Sequence, residues 1–132
     1  MKVPAAKPSF SEGDVNLILE EIKQTLYSGW LTNGPKVQAL EREIARSMGV
    51  KNAIACNSGT SALACMLKAL EIQGSAILVP TNTFAATAHA VLWNKGDVAL
   101  VDIDDVGTFN VGLSTIAEQF LKCQQNKNMV KG

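Results

Sequence analysis

Hydrophobic positions along this chain of 132 residues recur first at helical spacing and then in short runs. Val15, Ile18, Ile22 and Leu26 fall on one face of a helix that Ser11-Glu12-Gly13-Asp14 would start and Gly29 would end. Val37, Leu40, Ile44 and Met48 stripe a second helix, with Pro35 suited to its first position and Gly49 to its end. Its charges, Glu41, Arg42, Glu43 and Arg46, read as a solvated face. Beyond residue 50 the pattern changes. Ala53-Ile54-Ala55 reads as a buried strand, followed by a helix carrying Leu63, Met66, Leu67 and Leu70. Ala76-Ile77-Leu78-Val79 is a second strand ended by Pro80, and Phe84 to Trp93 is an Ala-rich helix ended by Gly96. Val98-Ala99-Leu100-Val101 makes a third strand, and Leu113, Ile116, Ala117, Phe120 and Leu121 mark a last helix. Strands about every 22 residues with helices between them predict right-handed crossovers and a parallel sheet, an α/β architecture. Gln124 to Gly132 is polar and patternless, and reads as a chain cut off where another strand would begin.

Two polar turns fall at predicted strand ends, where α/β sheets usually hold ligands. One is Asn57-Ser58-Gly59-Thr60-Ser61, the other Pro80-Thr81-Asn82-Thr83. A strand turning through Ser-Gly-Thr into a helix leaves backbone N–H groups unpaired at the positive end of the helix dipole. With two hydroxyls beside them, those donors suit a phosphate. The plainer alternative is that Ser58 or Thr60 caps the helix while Gly59 permits the turn.

Composition narrows the choice. The chain is 47% hydrophobic with 12 basic and 12 acidic residues, which fits one globular domain and offers no electrostatic case for nucleic acid or an anionic membrane. No apolar run approaches the roughly 20 residues that span a bilayer, and Met1 to Phe10 lacks the apolar centre of a secretory signal. A cytoplasmic location is expected. Cys56, Cys65 and Cys123 are odd in number and lack metal-ligand spacing, so neither a disulfide framework nor a zinc site is expected. Cys56 beside the phosphate turn reads as a buried, inert thiol rather than a reactive one. Asp102, Asp104 and Asp105 lack the alternation and glycine of a calcium loop and read as a solvated strand-end turn; no metal is expected. His89 has no evident partner.

Four motifs occur in order: Gly29-Trp30-Leu31-Thr32-Asn33-Gly34-Pro35, Asn57-Ser58-Gly59-Thr60-Ser61-Ala62-Leu63, Pro80-Thr81-Asn82-Thr83-Phe84 and Val101-Asp102-Ile103-Asp104. Together, over about Pro8 to Leu121, they resemble the N-terminal part of the DegT/DnrJ/EryC1/StrS family. These are pyridoxal-phosphate-dependent sugar aminotransferases of fold type I. The resemblance implies part of an aspartate-aminotransferase-like large domain, a mostly parallel sheet with flanking helices. It implies N-terminal helices and an active-site loop over 1–50, the first αβ units over 51–123 and a truncated tail over 124–132.

The resemblance further implies pyridoxal 5'-phosphate as cofactor, held at its phosphate by the N–H groups of Gly59 and Thr60, the Thr60 hydroxyl and Ser61. Phe84 would stack on the pyridine ring, although on its own it reads as an ordinary core aromatic. Trp30, Thr32 and Asn33 would lie in a loop near substrate and the subunit interface, with Trp30 equally readable as packing. The Asp102 motif would be structural. Gly74-Ser75-Ala76-Ile77 departs slightly from the family's Gly-Asp-Glu-Val.

The implied partners are a keto-sugar, usually nucleotide-linked, an amino donor (glutamate or glutamine) and a second subunit in a homodimer. None of the lysines at 2, 7, 23, 36, 51, 68, 95, 122, 127 and 131 matches the family's Schiff-base context, and the aspartate that pairs with the pyridine nitrogen is also expected downstream. No catalytic residue is therefore expected in this chain, which should not transaminate alone. Three alternatives stay open: a sugar dehydratase of the same family, a non-enzymatic phosphate-binding module, and an inactive fragment with exposed apolar surface.

Overall fold

The computed structural model describes residues 6–125. The chain divides into two compact units, with the boundary after Ala55.

The first unit holds two helices. α1 (Glu12–Ser28) starts at a reciprocal cap: the Asp14 N–H donates to Ser11 Oγ at 3.1 Å, and the Ser11 N–H donates to the Asp14 carboxylate at 3.1 Å. It stops at Gly29, whose left-handed φ of 69° favours glycine. α2 (Pro35–Met48) has Pro35 in its first turn and ends at Gly49, also left-handed. The sequence predicted both helices at nearly these bounds. Neither contains a buried residue, and the striped positions Ile18, Ile22, Leu26, Leu40, Ile44 and Met48 are all exposed.

The second unit is a βαβ core with two further helices. α3 (Gly59–Ala69) precedes β1 (Ala76–Pro80), α4 (Ala86–Trp93), β2 (Asp97–Val101) and α5 (Leu113–Gln125). β1 and β2 pair in parallel with Ala76 opposite Asp97 and Pro80 opposite Val101. The core is small: Val79 from β1, Ala90 and Val91 from α4, Ala99 and Val101 from β2, and Ile72 between α3 and β1. The Asn94 side chain ties α3 to α4 by donating to the carbonyls of Ala64 at 3.0 Å and Ala90 at 2.8 Å. A Cβ on Gly96 would stand 2.8 Å from Ile72 Cδ1 and 3.0 Å from Val91 Cγ1, so only glycine lets the chain enter β2 this close to the core.

Three expectations need correction. Ala53-Ile54-Ala55 forms no strand, and Ile54 is 84% exposed. A strand needs a partner ladder, and among the described residues this segment has none; the Ala55 N–H instead donates to the Glu41 carboxylate at 2.9 Å. The Ala-rich helix starts at Ala86 rather than Phe84, because Thr81 to Thr83 are held in a bent loop by their side chains. Gln124 and Gln125 belong to α5, while the rest of the expected tail lies outside the described residues. Among the described residues, no helix is long and apolar enough to cross a membrane.

Candidate functional site

The first turn of α3 is built around Ser58. Its extended backbone (φ −159°, ψ 158°) makes it the N-cap; its Oγ accepts from the Ser61 N–H at 3.1 Å and donates to Ser61 Oγ, also at 3.1 Å. Of the two capping candidates, Ser58 is the cap and Thr60 is not. Among the described residues the N–H groups of Gly59 and Thr60 have no partner, and both lie at the positive end of an 11-residue helix. Ser61 has lost its N–H to the cap and keeps only its hydroxyl. Gly59 has no left-handed φ, and a Cβ there would meet nothing within 4 Å. The turn itself does not require this glycine, contrary to the simpler sequence reading.

Phe84 lies in the loop between β1 and α4 and is 82% exposed, so it is not the core aromatic that its type suggested. The three residues before it are each tethered. Thr81 Oγ1 donates to Asp102 Oδ1 at 3.1 Å, while the Thr81 N–H donates to the Val101 carbonyl at 2.9 Å. Asn82 Nδ2 donates to the Phe109 carbonyl at 3.3 Å, and the hydroxyls of Thr83 and Thr87 share a 3.0 Å bond. Sequence reasoning missed these tethers. The available signal was the parallel register: with Pro80 opposite Val101, Thr81 and Asp102 leave adjacent strands side by side.

The acidic loop is organised by its own backbone. Asp102 Oδ1 also accepts the Ile103 N–H at 2.8 Å, and Asp104 accepts the Ser114 hydroxyl at 2.8 Å. The Gly107 N–H, and after it the Thr108 hydroxyl, hold the Asp105 carboxyl below the usual carboxylate range. Among the described residues, no group of three or more His, Cys, Asp or Glu is placed to hold a metal.

In the first unit, the loop after α1 holds Trp30, Thr32 and Asn33. The Trp30 ring lies over Gly34, 3.1 Å from where a Cβ would stand, and the Trp30 N–H donates to Ser28 Oγ at 3.2 Å. Trp30 thus packs within its own loop while staying 55% exposed. Asn33 takes a left-handed φ of 47°, and Thr32 is exposed. Cys56 is exposed rather than buried, because the strand expected to bury it does not form. His89 is exposed, with its ring centroid 6.0 Å from that of Trp93 one turn on.

Comparison with known proteins identifies the family. Residues 13–122 match the DegT/DnrJ/EryC1/StrS aminotransferase family. The UDP-N-acetyl-3-dehydro-alpha-D-glucosamine 3-aminotransferase of Acidithiobacillus ferrooxidans is 44% identical over 89 residues, 67% of this chain and 24% of that protein. The dTDP-4-amino-4,6-dideoxy-D-glucose transaminase of Escherichia coli is 36% identical over 118 residues, 88% of this chain and 30% of that one. Among solved structures, Spr1654 of Streptococcus pneumoniae, described as a sugar aminotransferase and solved in its PLP form, superposes with a TM-score of 0.77 at 28% identity over 90% of this chain and 29% of that chain. The E. coli GDP-4-keto-6-deoxy-D-mannose-3-dehydratase with bound hydrated PLP gives 0.77 at 27% over 89% and 31%. This chain spans about a quarter to a third of the length of these relatives. Its α/β fold is part of the PLP-dependent sugar aminotransferase fold, and the chain belongs to the DegT/DnrJ/EryC1/StrS aminotransferase family.

Proposed function

We propose that this chain is the cofactor-phosphate-binding portion of a sugar aminotransferase that acts on a nucleotide-linked keto-sugar with glutamate or glutamine as amino donor. The observation that carries the reading is the pair of unpartnered N–H groups on Gly59 and Thr60, at the start of α3, in a chain matched to this family over residues 13–122. Two N–H donors, the positive end of the helix dipole and the hydroxyls of Thr60 and Ser61 suit a phosphate dianion as hydrogen-bond acceptor. Gly59 fits the same reading: the fold does not need it, so its missing side chain keeps the approach to those donors open. Phe84, exposed and held by its loop, offers a face on which the pyridine ring stacks. Trp30, Thr32 and Asn33 form the substrate and interface loop.

When bound, pyridoxal 5'-phosphate supplies an electron sink for breaking and making bonds at the amino-bearing carbon. The residues of this chain bind and orient, and none of its lysines matches the family's Schiff-base context. We place the complete enzyme in the cytoplasm as a homodimer. A PLP-dependent sugar dehydratase is the second reading, favoured by the similarity to the E. coli dehydratase.

Titration with 4'-deoxypyridoxine 5'-phosphate, which keeps ring and phosphate but lacks the aldehyde that reacts with surface lysines, tests the site. Thr60→Ala should weaken binding about 10-fold, the order expected for a lost hydrogen bond to a charged group. Gly59→Ala should weaken it while leaving thermal stability unchanged or higher. Unchanged affinity in both variants removes the assignment.

A further inference from the structure

We infer that Asp102 and Asn82 are positioning residues for Phe84, forming a polar clamp that fixes the loop backbone from which its exposed ring projects; this inference rests on the proposed cofactor site. The argument starts from what Phe84 lacks. With 82% of its surface exposed, the ring is not held by packing, so what the chain can fix is the backbone from which it projects. An unrestrained loop would spread the position of that backbone over several states, and ordering it on binding costs affinity. The structure removes that freedom from three sides. Thr81 is tied to Asp102 at the end of β2, 21 positions away; Asn82 is tied to the Phe109 carbonyl, 27 positions away; Thr83 is tied to Thr87 in the first turn of α4.

Two details argue that the clamp is more than ordinary loop structure. Asp102 uses one oxygen, Oδ1, for both the Thr81 hydroxyl and the Ile103 N–H, so a single carboxylate joins the exits of both parallel strands. Phe109, whose carbonyl receives Asn82, has a left-handed φ of 57°, a conformation that costs a bulky residue free energy and persists only where its surroundings enforce it. The Phe109 N–H donates to the Asp105 carbonyl at 2.8 Å, and the Asp104 N–H to the Asn110 carbonyl at 3.0 Å; these bonds close the turn that presents the Phe109 carbonyl. The acidic segment after β2 thus serves as a scaffold that fixes the loop carrying the aromatic side chain.

The test is a double-mutant cycle on the 132-residue chain, read by affinity for 4'-deoxypyridoxine 5'-phosphate and, separately, by thermal stability. Phe84→Ala should weaken binding about 10-fold, the upper range of an aromatic stacking contribution. Asp102→Ala and Asn82→Ala should each weaken it about 3-fold with Phe84 present and leave it unchanged in the Phe84→Ala background. Asp102→Asn, which keeps an acceptor oxygen, should restore the affinity. A purely structural clamp would lower thermal stability and give additive effects in both backgrounds; that result overturns the inference, and the less disruptive Asn82→Ala decides it if Asp102→Ala fails to fold. If Phe84→Ala itself leaves binding unchanged, or the unaltered chain does not bind the probe, the site reading fails and the clamp with it.

Discussion

The two units carry equally clear local signals and end in opposite states. In the first, α1 has a reciprocal cap and a glycine stop, and α2 a proline start and a glycine stop, yet no residue of either helix is buried. In the second, α4 has no side-chain cap and only eight residues, yet Ala90 and Val91 are buried against β1 and β2. Start and stop signals therefore decide where a helix begins and ends, and say nothing about whether its apolar face has a partner. Helix stability in proteins comes mostly from that partner. The second unit contains its own; in the first, Leu17, Ile18, Ile22 and Leu26 along α1 stay exposed among the described residues.

Matched charge insertions should break this comparison most sharply. Val79 is 1% exposed, so Val79→Asp buries an unpaired carboxylate and should abolish cooperative unfolding of the second unit, a loss of several kcal/mol. Ile22 is half exposed, and Ile22→Asp should shift stability by about 0.5 kcal/mol or less. Thermal melts followed by circular dichroism compare the two. A comparable loss at Ile22 would mean that α1 is covered in solution.

A smaller effect probes the tightness of the core. Gly96→Ala drives a methyl into Ile72 and Val91 and should cost about 1–3 kcal/mol. A neutral result in urea unfolding would show that the core relaxes freely and differs less from the first unit than its packing implies.

A further effect belongs to the first unit alone. The Ser11 hydroxyl, then the Ser11 N–H, hold the Asp14 carboxyl below its ordinary range. A lowered folded value means that the cap is fully present above the unfolded value of about 3.9 and is lost as pH falls through the lower folded value. Ser11→Ala should cost about 1 kcal/mol of helix stability at neutral pH and flatten this acid dependence. Chemical shifts of residues 11–15 followed from neutral to acidic pH check both effects.

How much the sequence disclosed follows the same division. Caps, stops and the β1–α4–β2 alternation depend on neighbouring residues and on periodicity, and they were legible. Ala53-Ile54-Ala55 was misread because an apolar run records a preference for burial, whereas a strand also needs a ladder partner that no local pattern supplies. Cys56, expected to be buried by that strand, is exposed because the strand does not form. At the candidate site, the Ser-Gly-Thr turn was legible as a source of free donors, but which hydroxyl caps was not: Ser58 and Thr60 are chemically alike, and only the extended backbone at Ser58 separates them. The tethers on Thr81 and Asn82 span more than 20 positions and become visible only with the parallel register in hand.

The chain's two tryptophans fall one in each unit: Trp30 lies over Gly34 in the first, and Trp93 sits one helical turn from His89 in the second. The molecule therefore carries a separate intrinsic fluorophore in each half. With Trp30→Phe and Trp93→Phe as a pair, emission resolves the opening of the helical half from that of the sheet half without any attached dye.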